Sequence, residues 1–208
     1  MYRAMLGIGL VCGFIIVSVF QLTLPAIKQN QLELLQKSLY QIFPDANRFA
    51  RYQLQDDGRF VNAPDHSSDN IVYAMYNAHD DLLGIVVKAK GMGYQDLIEM
   101  LYGYKPDQQI IQGYQILDSR ETPGLGNKIE TDDNYRKNFD SLDVTVNSTG
   151  NELMHPIEIV KPGSKKNPWQ IDTITGATIS SRAVGNIVAK SAARWIPKIQ
   201  QRIKDFTQ

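Results

Sequence analysis

Asp172-Thr-Ile-Thr-Gly-Ala-Thr-Ile-Ser-Ser181 joins two patterns of different period. Upstream, the β-branched residues Thr173, Ile174 and Thr175 run into the small pair Gly176-Ala177. Downstream, Val184, Ile187, Val188, Ala192, Trp195, Ile196, Ile199 and Ile203 recur at helical spacing. The stretch therefore reads as an extended segment entering a long C-terminal helix through a small-residue turn. Thr178, Ser180 and Ser181 supply hydroxyls at that entry, where side-chain oxygens accept from the orphan N–H groups of a first turn. Two readings fit. One is an ordinary N-cap. The other is an anion site: Gly176 and Ala177 leave the backbone open to a ligand, and free N–H groups at a helix start favour phosphate. On the second reading Thr178 is a surplus hydroxyl that a phosphate could esterify.

Working outward, 208 residues suffice for one compact domain plus a smaller part. The chain has 22 basic and 22 acidic residues. That balance argues against nucleic acid, which needs a strongly basic surface. The single cysteine, Cys12, excludes an internal disulfide, a cysteine-built zinc site and an iron–sulfur cluster held by this chain alone. His66, His79 and His155 lie far apart without ligand spacing, so no metal site is expected.

Residues 4–27 carry no charge and are mostly Leu, Ile, Val, Phe, Gly and Met. About 20 such residues cross a bilayer. The run is too long for the apolar core of a signal peptide, and no A-x-A-like site follows it. The expected division is a transmembrane anchor at 1–27, a connecting amphipathic helix at 28–50 and one domain at 51–208. Pro25 is expected to mark a boundary or a kink. Gly9 and Gly13 form a small-xxx-small pair that suits either a partner helix or plain lipid. Arg3 on one side and Lys28 and Lys37 on the other leave orientation undecided by charge.

Beyond the anchor, Leu32, Leu35, Leu39 and Ile42 keep helical spacing up to Pro44. The polar residues 55–70 read as loop. Strands are expected at 71–76, 83–89, 97–104 and 109–118, joined by short turns into an antiparallel meander. Tyr73, Tyr76, Tyr94, Tyr102, Tyr104 and Tyr114 fall here and suit either a packed sheet face or a planar ligand. Glu121-Thr122-Pro123-Gly124-Leu125-Gly126 follows, its glycines and proline fixing a path that offers exposed amides and close approach. A polar helix at 132–139, short strands at 142–146 and 157–160, and a basic loop at 161–168 complete the chain.

Asp172-x-x-Thr175-Gly176-Ala177-Thr178-x-Ser180 resembles the flavinylation motif of FMN-binding domains, and the segment from Glu121 to Gly126 resembles their second signature. The two motifs in this order behind an N-terminal anchor resemble the G subunits of Rnf-type ion-translocating electron-transport complexes. Their relative is the C subunit of the sodium-translocating NADH:quinone oxidoreductase. The resemblance implies an α+β fold: one transmembrane helix, then a single FMN-binding domain with an antiparallel sheet and a long C-terminal helix. It implies FMN bound covalently to Thr178 through its phosphate and installed by a magnesium-dependent flavin transferase. Arg182 is expected to add a contact to that phosphate, Asp172 to help the transferase or to cap the helix, and the 121–126 loop to lie against the flavin. Asn127 stands where relatives often have an acidic residue. The implied role is an electron-carrier protein beside other integral membrane subunits, not a stand-alone enzyme. The implied place is the bacterial inner membrane, single-pass, with the domain on the periplasmic side. Two further readings stay open on the residues alone: an anchored module binding an anion non-covalently, and a hydrolase using Thr178 or Ser180, disfavoured because no histidine lies within about 20 residues of the cluster.

Overall fold

A computed structural model describes residues 2–63 and 70–207; His66 and the middle of the expected polar loop lie outside the described residues. The chain divides into two units, Met1–Lys37 and Ser38–Gln208. The first consists of most of one helix, α1, Tyr2–Ile42. Its side chains at Leu6, Ile8, Leu10, Phe14, Ile16 and Leu22 are all exposed. The helix is long and apolar enough to cross a membrane. No boundary appears at Pro25, which lies inside α1. The proline removes one backbone donor, yet the flanking turns hold, with the Thr23 hydroxyl donating to the Val19 and Phe20 carbonyls at 2.9 and 3.2 Å. The helix ends at Ile42, short of the expected residue 50.

The second unit is built on a seven-stranded antiparallel sheet. Its strands are β1 (Arg48–Leu54), β2 (Phe60–Asn62), β3 (Ile71–Tyr76), β4 (Leu82–Met92), β5 (Leu97–Lys105), β6 (Ile110–Asp118) and β7 (Leu142–Asp143), in the order β2-β1-β3-β4-β5-β6-β7. The expected meander is β3 to β6. The registers Val72↔Val87 and Val87↔Tyr102 align its central rows. Between β6 and β7 lie α2 (Lys128–Thr131), α3 (Asp133–Arg136) and a 3-10 turn at Lys137–Phe139. Two short strands, β8 (Glu158–Val160) and β9 (Gln170–Asp172), pair in parallel and lead into α4, Thr178–Gln201.

Both sheet faces are covered. On one, Val184, Ile187, Val188, Ala192, Trp195, Ile196 and Ile199 of α4 are buried against Val72, Ala74, Val87, Ala89, Met100 and Tyr102. Each such side chain stabilises the fold by about 1.5–3 kcal/mol. On the other, the last turn of α1 contributes Leu39, Ile42 and Phe43, each at most 4% exposed. Phe43 and Ile42 press so closely on Gly84 and Gly103 that neither position has room for a Cβ.

Of the six tyrosines that suited either a sheet or a ligand, five are buried and only Tyr94 is exposed. Several use their hydroxyls to pin other elements to the sheet. Tyr102 bonds Ser191 at 3.0 Å, Tyr104 donates to Gln200 at 2.8 Å, and Tyr76 donates to the Phe206 carbonyl at 2.8 Å. Tyr135, on α3, donates to the Ser181 carbonyl at 2.7 Å.

Burial holds the Tyr76, Tyr102, Tyr104, Tyr114 and Tyr135 phenols well above their ordinary ionisation near 10.0. Phenols that keep their protons longer in the fold than in the open chain favour folding fully below pH ~10, and that contribution is lost as pH rises further. Denaturant unfolding followed against pH should show stability falling steadily above pH ~10. Tyrosinate absorbance should appear only together with unfolding.

Candidate functional site

The turn between β9 and α4 is set by Gly176, whose φ of +81° belongs to the left-handed region that glycine enters without strain. The helix then begins at Thr178 with Ala177 as its N-cap, and no side chain caps it. The expected hydroxyl cap is thus absent. Ser181, the nearest candidate, is turned the other way: its Oγ accepts from the Ile174 amide at 3.0 Å and donates to the Ala177 carbonyl at 2.8 Å. It ties the turn to itself instead of serving the first-turn amides. The amides of Thr178, Ile179 and Ser180 consequently donate to no protein acceptor among the described residues.

Thr175, Gly176 and Thr178 are exposed to differing degrees, while Ala177, Ser180 and Ser181 are buried. The Thr178 hydroxyl makes one internal contact, donating to the Ile174 carbonyl at 3.2 Å. Arg182, one turn on, is exposed and has no ion-pair partner among the described residues.

Ser180 connects this helix start to the other motif. Its hydroxyl donates to Glu121 Oε2 in a short hydrogen bond. The second carboxylate oxygen, Oε1, accepts from the amides of Tyr94 and Gln95 at 2.7 and 3.2 Å. The 121–126 loop, the β4–β5 turn and the first turn of α4 therefore meet on one buried carboxylate. Within the loop, the Asn127 Oδ1 accepts from the Gly124 amide at 2.7 Å, and the Thr122 carbonyl accepts from Leu125 and Asn127 at 3.1 and 3.3 Å. These amides are spent on the loop itself, so the expected exposed donors are not available at these positions. Gln95 Nε2 donates to Thr122 Oγ1 at 2.9 Å, tying the loop to the turn a second time. Pro123 and Gly124 are exposed, with Leu125 53% exposed.

Asp172 stands apart from this junction. Its Oδ1 accepts from the Ser164 and Lys165 amides at 3.0 and 2.9 Å, holding the basic loop 161–168. It does not cap α4. Burial lowers the Lys165 ammonium below its ordinary range, with Asp172 and Asp140 acting against that shift.

The exposed apolar residues Met92, Tyr94 and Leu97 belong to the β4–β5 hairpin, Leu125 to the loop and Ile179 to the helix start. All three segments meet at Glu121. Sequence reasoning missed this apolar surround, because Met92 and Leu97 read simply as strand ends. Among the described residues no group of three or more His, Cys, Asp or Glu could hold a metal. His155 stacks on Trp169 with ring centroids 3.9 Å apart, and His79 lies in the β3–β4 turn. Neither is a partner of Thr178 or Ser180, so neither described histidine is placed as a base for a hydrolase.

The profile of the FMN-binding domain family matches residues 93–193, a span that contains both motifs. The G subunit of the ion-translocating oxidoreductase complex of Methanosarcina acetivorans is 32% identical over 164 residues, covering 75% of this chain and 74% of its own. The G subunit of the proton-translocating ferredoxin:NAD(+) oxidoreductase complex of Clostridium ljungdahlii is 28% identical over 174 residues, covering 84% and 78%. In the crystal structure of the Na(+)-translocating NADH-quinone reductase of Parabacteroides distasonis, the C subunit superposes with a TM-score of 0.60 at 20% identity, covering 86% of this chain and 96% of that one. At that identity the likeness concerns the fold.

A Cβ on Gly126 would stand 2.6 Å from Glu121 Oε2 and 2.9 Å from Ser180 Oγ. Gly126→Ala should lower stability by about 1–3 kcal/mol through overpacking. Thermal unfolding of the detergent-solubilised chain checks this, and a wild-type melting temperature would contradict the packing described.

Proposed function

The chain belongs to the family of G subunits of ion-translocating oxidoreductase complexes, and from that membership we propose that it is a membrane-anchored flavoprotein carrying FMN esterified to Thr178. The single observation that carries the proposal is the helix start: an exposed Thr178 hydroxyl beside three first-turn amides that no protein acceptor among the described residues uses. That arrangement suits a phosphate monoanion or diester, since the amides and the helix dipole both favour negative charge there. Arg182 adds a guanidinium one turn on. Tyr94, Leu125 and Ile179 provide exposed apolar surface on the segments around it, and Thr122, Pro123 and Gly124 shape the loop next to them.

Attachment requires an activated phosphate. The Thr178 hydroxyl oxygen displaces AMP from FAD: one O–P ester bond forms, the P–O–P anhydride breaks, AMP leaves with the bridging oxygen, and the hydroxyl proton passes to a base. Nothing is oxidised or reduced. A magnesium-dependent flavin transferase performs this step. Bound FMN supplies the electron transfer; the protein's part is to hold it, and the helix α1 keeps it at a bilayer. The uncharged run 4–27 matches the roughly 20 residues that span a hydrocarbon core. The domain lies on the periplasmic side of a bacterial inner membrane, among other integral membrane subunits, and relays electrons between them.

Thr178→Ala tests this. Protein matured with the transferase should show flavin fluorescence on its band in a denaturing gel, and the variant's band should be dark. Thr178 is exposed with one internal bond, so its loss should change stability by no more than about 0.5 kcal/mol. A variant band as fluorescent as wild type would refute the assignment, and flavin lost in denaturant from both would favour non-covalent binding.

A further inference from the structure

Glu121 is 6% exposed, and among the described residues no lysine or arginine pairs with it. Its near neighbour Arg120 is paired elsewhere, with Asp96 at 3.2 Å. A buried carboxylate without a cation persists only if hydrogen bonds replace its hydration. Here they come from distant parts of the chain: the Tyr94 and Gln95 amides on Oε1 and the Ser180 hydroxyl on Oε2. Space is reserved for the group as well. A Cβ on Gly93 would run into Oε1, and one on Gly126 into Oε2. Two side-chain-free positions and three donors thus form a cradle shaped for a carboxylate.

The first turn of α4 has no side-chain cap to fix its direction. Two serines do so instead. Ser181 Oγ bonds only to its own segment, at Ile174, Ala177 and Thr178. Ser180 provides the side-chain tie from this turn to remote chain, and that tie ends on Glu121. Ser180 lies between Thr178 and Arg182 on the same turn.

We infer that Glu121 is a positioning residue for the esterification of Thr178. Gripping the Tyr94 and Gln95 amides with one oxygen and the Ser180 hydroxyl with the other, it locks the first turn of α4 against the β4–β5 hairpin. That lock fixes where the Thr178 hydroxyl and the three free amides point. The inference rests on the reading of Thr178 as the attachment site. The bonds made and broken are those already given: Thr178 O–P forms, the FAD anhydride breaks, and AMP departs. Glu121 touches neither the phosphate nor the departing group. Glutamine can keep the geometry, because its carbonyl oxygen can take both amides while its NH2 donates to Ser180 Oγ. Alanine cannot.

The test uses full-length protein produced with an FMN transferase and FAD, comparing wild type, Glu121→Ala, Glu121→Gln, Ser180→Ala and the double alanine variant. Covalent loading is timed by in-gel flavin fluorescence. Peptide-resolved hydrogen exchange is followed at 93–97, 177–182 and 192–199. Misplacing a reacting group by about an ångström slows a reaction by up to ~100-fold, so Glu121→Ala and Ser180→Ala should each load at least about tenfold more slowly. The double variant should be no slower than the slower single, since the two residues act as one unit. Glu121→Gln should load within about twofold of wild type, a rescue that the geometry of shared donors requires. In Glu121→Ala, exchange should rise at 93–97 and 177–182 and stay at the wild-type rate at 192–199. Wild-type loading by Glu121→Ala, equally slow loading by Glu121→Gln, or faster exchange along all of α4 would overturn the inference. If no protein loads, wild type included, the Thr178 reading falls. The exchange data then still decide on the lock, which is overturned by unchanged exchange at 177–182 in Glu121→Ala.

Discussion

Hydrogen bonding to the Glu121 carboxylate is the constraint on which the site depends. A desolvated negative charge is tolerable only while every donor stays in place. Its donors are the β4–β5 turn and the first turn of α4, and Glu121 itself begins the loop after β6. None of these segments can shift without exposing or orphaning the charge. The small residues Gly93 and Gly126 follow from the same requirement, because a side chain at either would collide with the carboxylate. Loop, hairpin and helix start are therefore one object, although they are far apart in sequence.

Behind that junction, the sheet provides a rigid base. The C-terminal helix lies along it with an almost continuous apolar stripe, and tyrosine hydroxyls at Tyr102, Tyr104 and Tyr135 fix it to strands and to α3. The N-terminal end of such a helix keeps its amides unsatisfied and its positive end outward. What differs here from an ordinary helix start is the use of the hydroxyls. Ser181 is turned back into the incoming segment and Ser180 inward to Glu121, which leaves Thr178 as the exposed one. The division of labour among three neighbouring hydroxyls is what makes one of them available for modification.

Much of this was legible in the residues. The period of α4, the four strands of the meander and both motifs stand out because each is a strong local pattern with distinct turn chemistry between elements. Strand β1 was not legible: Arg48 and Arg51 interrupt its alternation, and the structure keeps them by letting their stems lie along the sheet, with Arg48 over the Tyr76 ring at 4.1 Å and bonded to Asp80 at 2.6 Å. Strand β2 has three residues inside a polar stretch, too few for any period. Pro25 suggested an end to α1, but a single missing donor does not break a long apolar helix. At the site, sequence brought forward the right residues and the wrong contacts. Asp172 proved to hold the 161–168 loop, and Glu121, read as one member of a glycine-rich loop, proved to be the meeting point. Pairings between residues 121 and 180, or 94 and 121, depend on tertiary structure and leave no local trace.

The central claim is chemical: a particular oxygen, that of Thr178, carries the phosphate of FMN. It is tested most directly by mass spectrometry of the tryptic peptide 167–182 from protein matured with the flavin transferase. The account predicts a peptide heavier by FMN less one water, with fragment ions placing the added mass on Thr178. An unmodified peptide from mature protein, or the added mass on Thr175, Ser180 or Ser181, would contradict it.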